Sequence, residues 1–176
     1  MNPPRRPRLQ RQPHPPRQQQ QRIPWDEYFI KIAFLVAERS TCRRHHVGAV
    51  IAKEKRLLTT GYNGAPSGAK DCLELGCLRD AKRIRSGERH EVCRAIHAEQ
   101  NAVIQAGLHG ISIQKGTLYC THTPCILCAK ILANAKIERV VACGTYPDED
   151  ALTLLKEAGI EFRLLDRPDL TISTLD

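Results

Sequence analysis

The sequence predicts an α/β fold with a mixed central sheet and helices on both faces. Two short strand patterns, residues 47–53 and 56–62, flank the polar turn KEKR and form a hairpin, which supplies antiparallel pairing. From residue 97 onward, helical and strand patterns alternate, which supplies parallel pairing through βαβ units. A run at helical spacing precedes the hairpin. A chain of 176 residues suits one domain with a real core.

The elements follow in order. Pro24 suits the first position of a helix, and Asp26 and Glu27 suit its first turn, near the positive end of the dipole. Trp25, Phe29, Ile32 and Val36 recur at helical spacing, so this helix is expected to run to about Ser40. VGAVIAK and RLLTTGY form the hairpin. A polar segment rich in Gly and Cys extends from Asn63 to about Arg94. His97 to Ala106 then reads as a helix, 117–121 as a strand and Cys125 to Ala135 as a helix. Residues 139–143 form a strand, Glu149 to Glu157 a helix closed by Gly159, and 160–165 a last strand. No internal repeat is present.

Residues 1–23 are almost entirely Pro, Arg and Gln. Such a stretch buries too little apolar surface to offset the entropy of ordering, so it is expected to be disordered. Ordered structure is expected over 24–168, with a short C-terminal tail over 169–176. The formal net charge is +8, and the first 24 residues contribute six arginines and no acid. The remainder is therefore close to balanced, which argues against the folded part as a nucleic-acid binder. No run of eighteen apolar residues occurs, so no membrane span is expected. The N-terminal residues lack the apolar segment of a secretory signal. Eight cysteines without such a signal favour metal ligation over disulfides, in a reducing, cytoplasmic setting.

Two stretches carry the chemistry. CRAIHAEQNAVI, residues 93–104, holds His97 and Glu99 two apart. On a helix, such residues lie about 200° apart around the axis, so they serve one point only if His97 sits at the helix start. TPCILC, residues 123–128, places Cys125 and Cys128 on one face of a first turn opened by Pro124. The helix dipole and a bound metal both lower thiol pKa there. Two thiolates and one imidazole give zinc three ligands and leave a fourth position for water, which marks a catalytic rather than a closed structural site. Glu99 is then the spare group, placed to carry protons. The H-x-E…P-C-x-x-C pattern is the signature of zinc-dependent nucleobase deaminases. A bare CxxC also suits redox sites and zinc ribbons, so either half alone is weak.

HAEQNAV at 97–103, TPCILC at 123–128 and GYNGAPSG at 61–68 resemble the deoxycytidylate (dCMP) deaminases of the bacterial and phage type, including the ComE-like branch. The likeness runs from about Trp25 to Leu165. It implies a cytidine deaminase-like, three-layer α/β/α sandwich and a zinc-dependent deaminase domain over 24–168. It also implies a catalytic zinc on His97, Cys125 and Cys128, with Glu99 as the catalytic proton carrier. The implied reaction is hydrolysis of dCMP to dUMP and ammonia, supplying dUMP for thymidylate synthesis. A homo-oligomer, often a hexamer, and dCTP and dTTP as effectors are further implications. Asn63 and Tyr146 match residues that contact the nucleotide. On the residues alone, Asn63 reads as a turn residue and Tyr146 as a packing aromatic. The backbone N–H of Ala98 is a candidate donor to the base carbonyl.

Some members of the family also carry a structural zinc. Cys42 and Cys72 fall where such proteins place ligands, and Cys77 and Cys93 complete a four-cysteine set with His90 as the substitute. A closed zinc would fasten the polar segment, which is otherwise long for a loop. Buried free thiols are the alternative. Cys120 and Cys143 read as small core residues. Lys70, Arg43, Arg44, Arg89 and Arg94 are candidates for phosphate recognition, none of them assigned. The rival readings are a deaminase of cytidine, tRNA adenosine or a pterin or riboflavin precursor, and a non-enzymatic zinc-stabilised module that binds nucleic acid through the arginine tail. The second has no use for Glu99.

Overall fold

The computed structural model describes residues 22–144 and 148–171. Most of the expected disordered tail, the end of the C-terminal tail and Tyr146 lie outside them.

Five strands form one sheet in the order β2-β1-β3-β4-β5. The central strand pair is antiparallel: β1 (Gly48–Lys53) runs against both β2 (Arg56–Tyr62) and β3 (Thr117–His122). β4 (Arg139–Gly144) and β5 (Glu161–Leu164) extend the sheet in parallel. The hairpin turn is two residues long, with Glu54 and Lys55 at φ 50° and 62°. Two left-handed central residues match the strand twist even without the usual Asn-Gly pair.

Side-chain alternation divides the core into two layers. Ala49, Ile51, Leu118, Cys120 and Val140 face one side. There they pack with α4 (Ala98–Leu108), α5 (Ile126–Asn134) and α6 (Glu149–Glu157). Val50, Ala52, Tyr119 and Val141 face the other side, against α1 (Trp25–Ala37). The result is the expected three layers, with one helix on one face and three on the other.

α1 corrects the expected stripe. Its buried residues are Phe29, Ile30, Ala33 and Ala37, whereas Ile32 and Val36 are partly buried and Trp25 is half-exposed. Small residues take the centre of the contact because the helix lies directly on the β1 backbone. A Cβ built on Gly48 would stand 2.0 Å from the carbonyl oxygen of Ala33. Asp26 then fastens α1 to the sheet. Its carboxylate accepts two hydrogen bonds from Arg139, at 2.9 and 2.8 Å, and one each from Arg163 and the Tyr119 hydroxyl. Burial and this bond push the Tyr119 pKa up to about 12.

The segment between β2 and α4 is less irregular than expected. It contains two four-residue helices, α2 (Cys72–Leu75) and α3 (Leu78–Ala81), and a 3-10 turn at His90–Val92. Asp71 caps α2 through the backbone N–H groups of Leu73 and Glu74, Glu74 reaches back to Asp71, and Gly76 at φ 80° ends the helix. That is a capping box and a glycine stop, both readable in DCLELG. A single bridge, Gly64 to Ile96, ties the two ends of the segment together.

Candidate active site

The starts of α4 and α5 meet at the end of β3. His97 is the residue that precedes α4, with extended backbone (φ −72°, ψ 155°), as its spacing from Glu99 requires. Its N–H donates to Gln100 Oε1 at 3.1 Å, which holds the chain as it turns into the helix. Cys125 has the matching place before α5 (φ −78°, ψ 169°), and Cys128 is fully buried in the first turn. The Asp148 carboxylate accepts the N–H of Ile126 at 2.8 Å and of Ala151 at 3.0 Å, joining the starts of α5 and α6. Sequence reasoning missed Gln100 and Asp148. The His-x-x-Gln spacing of a capping box signals the first; the second depends on tertiary contact and leaves no local mark.

His97 Nδ1 lies 3.4 Å from the Cys125 sulfur and 3.3 Å from the Cys128 sulfur. Among the described residues, only these three bring ligating atoms within 4.8 Å of one another. Tetrahedral zinc with ordinary Zn–N and Zn–S bonds holds such atoms about 3.6 Å apart, so the donor set fits the ion. Its protonation chemistry fits as well. The hydrogen bonds from Cys128 and His97 pull the Cys125 thiol down to about 3 against burial, and the bond to Cys125 pushes His97 up. Sharing with Cys125 and burial push the Cys128 thiol up. The three groups thus compete for protons at the point where a divalent cation satisfies all of them.

Glu99 is 5% exposed. Burial raises its pKa, partly opposed by the His97 charge and its hydrogen bonds. A carboxyl shifted toward neutrality beside a water-activating site is suited to both accepting and returning a proton.

A cavity of about 380 Å³ opens onto this cluster, a volume in the range of small-ligand pockets. Glu99, His97, Ala98, Asn63 and Cys125 line it. So do three groups the sequence did not single out: His45, His122 and Arg79. Burial, then the neighbouring His45, whose ring lies 6.3 Å away, lowers the His122 pKa. Ala98 is the first residue of α4, and its N–H belongs to the first turn, which has no intrahelical acceptor.

Asn63 is no simple turn residue. It is buried, its Oδ1 accepts from the Ser40 hydroxyl at 2.6 Å and the Val47 N–H at 2.9 Å, and its Nδ2 donates to the His45 carbonyl at 2.8 Å. This carboxamide clamps the chain between Ser40 and Val47 and retains one N–H.

Cys42, Cys72, Cys77 and Cys93 line the same cavity, and all eight cysteines are free. Burial, then the proximity of the other three, raises the Cys72 thiol. No three of the four sulfurs come within the 4.8 Å met by the His97 group. His90 lines the cavity too, and its ring meets that of His97 edge-on, with centroids 5.1 Å apart. Cys120 is core as expected, whereas Cys143 is only partly buried and its thiol donates to the Asp166 carbonyl.

Residues 23–144 match the family described as the cytidine and deoxycytidylate deaminase zinc-binding region. The chain belongs to this family. The deoxycytidylate deaminase of Schizosaccharomyces pombe is 36% identical over 149 residues, 84% of this chain and 46% of that protein. The deoxycytidylate deaminase of Mycobacterium phage D29 is 42% identical over 130 residues, 71% of this chain and 95% of the phage protein. The crystal structure of the dCMP deaminase of cyanophage S-TIM5, in complex with dCMP and dUMP, superposes with a TM-score of 0.67 at 31% identity. It covers 79% of this chain and 95% of that one. The chain spans about half the length of the fission-yeast relative and nearly all of the mycobacteriophage one. All three metal-ligating candidates and Glu99 fall within the residues that match the family.

Proposed function

We propose that this chain is a zinc-dependent dCMP deaminase, converting dCMP and water to dUMP and ammonia. The observation that carries the proposal is the meeting of His97 Nδ1 with the Cys125 and Cys128 sulfurs beside a buried glutamate. The substrate rests on the deoxycytidylate deaminases to which the chain is similar.

His97, Cys125 and Cys128 would hold the zinc, which when bound supplies Lewis-acid activation of water. Glu99 takes a proton from that water and passes it to N3 of the cytosine ring. Water oxygen adds at C4, Glu99 takes the second proton from the added hydroxyl and delivers it to the amino group, and the C4–N bond breaks as the C4 carbonyl forms, releasing ammonia. Burial raises the proton affinity of Glu99, which favours its taking each proton in turn. The Ala98 N–H donates to the base carbonyl, and the remaining N–H of Asn63 to a sugar hydroxyl. Tyr146 is proposed as an aromatic wall near the ligand.

A second, structural zinc on Cys42, Cys72, Cys77 and Cys93 is part of the same reading. The shared neighbourhood of the four sulfurs supports it, and the edge-on contact of His90 with His97 favours cysteine over His90 as the fourth ligand. Closing a tetrahedral site would draw the sulfurs to about 3.8 Å from one another. A homo-oligomer, control by dCTP and dTTP, and a cytoplasmic setting complete the proposal. No helix among the described residues is long and apolar enough to cross a membrane.

The test is ammonia release from a panel of dCMP, dCTP, deoxycytidine and tRNA by zinc-loaded protein. Fastest turnover of dCMP is expected. Turnover of another member alone replaces the substrate assignment, and no turnover of any overturns the activity.

A further inference from the structure

We propose that a second cleft, beside Trp25, binds single-stranded nucleic acid. It lies at the start of β3, near Thr117, whereas the His97 cluster lies at the end of that strand, and it does not depend on the dCMP reading. The cleft has a volume of about 490 Å³, and Trp25, Lys53, Lys55 and Lys115 line it. The Trp25 side chain is half-exposed, and Phe29 stacks on it with ring centroids 5.8 Å apart, which holds the indole in place. A fixed, half-exposed tryptophan is a stacking platform for a base of any identity, because every base has a π-face. Lys55 Nζ now sits 5.7 Å from the centre of the indole ring. A stacked base contributes more than an exposed cation–π contact, and the flexible ammonium it displaces can pair with phosphate.

The charge at this end of the fold points to a polyanion. Arg56 stands opposite Lys53 in the hairpin, and the Lys115 N–H donates to the Lys136 carbonyl at 2.8 Å, which brings two further cations beside the cleft. Against these five stand two exposed acids, Glu54 and Glu138. The third acid of the lining, Asp26, is already paired with Arg139 and Arg163. Lys55, Lys115 and Lys136 also have φ of 62°, 59° and 56°. Glycine would take that backbone without strain, so lysine at all three positions points to a use for the charge. The chain before Ile23 adds six arginines and no acid, and it enters the fold two residues before Trp25. Like charge rules out that segment, and the same face of a second copy, as the occupant of the cleft. A single strand of nucleic acid supplies phosphates for the cations and bases for the indole. The near-balance of charge over the whole fold does not describe this end of it.

The experiment uses the full zinc-loaded chain and a labelled single-stranded oligodeoxyadenylate, with binding read by anisotropy over a range of salt. An adenine oligomer keeps cytosine chemistry out of the measurement. Lys53→Gln with Lys115→Gln is expected to flatten the slope of log affinity against log salt by about 1.4, from two phosphate contacts at about 0.7 each. Trp25→Leu is expected to weaken binding about tenfold with the slope unchanged, the size of losing one stacked base. Replacing the six N-terminal arginines with glutamine is expected to flatten the slope further. Lys130→Gln with Lys156→Gln, on α5 and α6, removes the same charge elsewhere and is expected to keep wild-type affinity. Trp25 is the chain's only tryptophan, so wild-type emission is expected to be quenched by the oligomer and not by heparin, a polyanion without bases. No binding by the wild type, unchanged affinity in Trp25→Leu, equal loss in the α5 and α6 control, or equal quenching by heparin overturns the site. Displacement of the oligomer by dUMP places it in the His97 cavity and overturns the proposal as well. Melting temperatures check each variant; if Trp25→Leu does not fold, the lysine pair and the wild-type emission decide. Ammonia release is not read, so failure here leaves the deaminase reading untouched.

Discussion

Gly61→Ala is expected to disable the proposed deaminase activity from outside the cavity's chemistry. Gly61 lies in β2 where α4 crosses it. A Cβ there would stand 2.2 Å from the Ala98 carbonyl oxygen and 2.4 Å from the Ala102 nitrogen. Both are backbone atoms, so no side chain can swing away. Reaching even 3.0 Å demands 0.8 Å of movement (3.0 − 2.2) between helix and strand. Ala98 and Ala102 flank Glu99 in the first turns of α4, and Asn101 Nδ2 ties that turn to the Tyr62 carbonyl at 2.7 Å. The shift therefore moves Glu99 relative to Cys125 and Cys128 at the start of α5. Overpacking of this kind costs about 2–3 kcal/mol, which lowers the melting temperature by roughly 5–10 °C. A displacement near 1 Å of a proton-transfer group costs about 10²-fold in kcat. Gly107→Ala is the control: Gly107 is in the same helix, and an added methyl group would meet nothing within 4 Å. Alanine there is expected to stabilise by about 0.5–1 kcal/mol. Calorimetric melting and steady-state ammonia release on both variants decide the matter. Wild-type melting and kcat in Gly61→Ala would show that the sheet does not set the place of Glu99. A lowered melting temperature with unchanged kcat would do the same.

Glu99→Gln is expected to keep zinc and fold but lose about 10²–10⁴-fold in kcat; near-normal turnover refutes Glu99 as the proton carrier. Metal analysis is expected to find two zinc ions per chain, falling to one in Cys72→Ser with the catalytic ion kept. One ion in the wild type would mean that the four cysteines are buried thiols. Asp26→Asn is expected to cost about 1–2 kcal/mol at neutral pH by weakening the bonds to Arg139. The hydrogen bond from Arg139 holds the Asp26 carboxyl below its usual value, so its contribution is present above the unfolded pKa near 3.8 and disappears as pH falls through the folded value. Urea unfolding from pH 7 to pH 3 should show the wild-type advantage constant down to about pH 5 and shrinking below pH 4. A gap that widens in acid contradicts the assignment.

The strands and long helices were legible because their signals are local. α6 has the expected bounds, the hairpin strands differ by one residue, and His97 stands at the helix start that its distance from Glu99 demands. The stripe on α1 was read one face away. Periodicity counts large apolar residues, whereas the contact is set by Gly48 meeting Ala33 across the layers. The short helices at 72–75 and 78–81 lie below the length at which periodicity speaks, although the capping box at Asp71 marked the first. Arg79 could not be found from sequence. Nothing in LRDAKRIR distinguishes the one arginine that folds inward from its solvated neighbours; only burial and an unsatisfied nitrogen do. Asn63 was legible as important but not as a clamp, because its three hydrogen bonds go to Ser40, His45 and Val47, well back along the chain.

These placements divide labour within the site. The metal-ligating residues and Glu99 sit at the starts of α4 and α5, where the buried alanines and leucines of the larger core layer hold them. Asn63, Arg44 and Arg79 sit on the connecting stretches at 40–47 and 63–96, which contribute little to either core layer and are fixed by hydrogen bonds between side chains and backbone. Core packing tolerates small volume changes poorly, whereas a polar clamp is altered one bond at a time. Substitutions in the first group should therefore lower kcat on every substrate together. Substitutions in the second should change which substrate is preferred. Under the proposed function, recognition of the nucleotide is separable from the chemistry done on its base, and such a chain could alter its substrate without rebuilding the site at His97, Cys125 and Cys128.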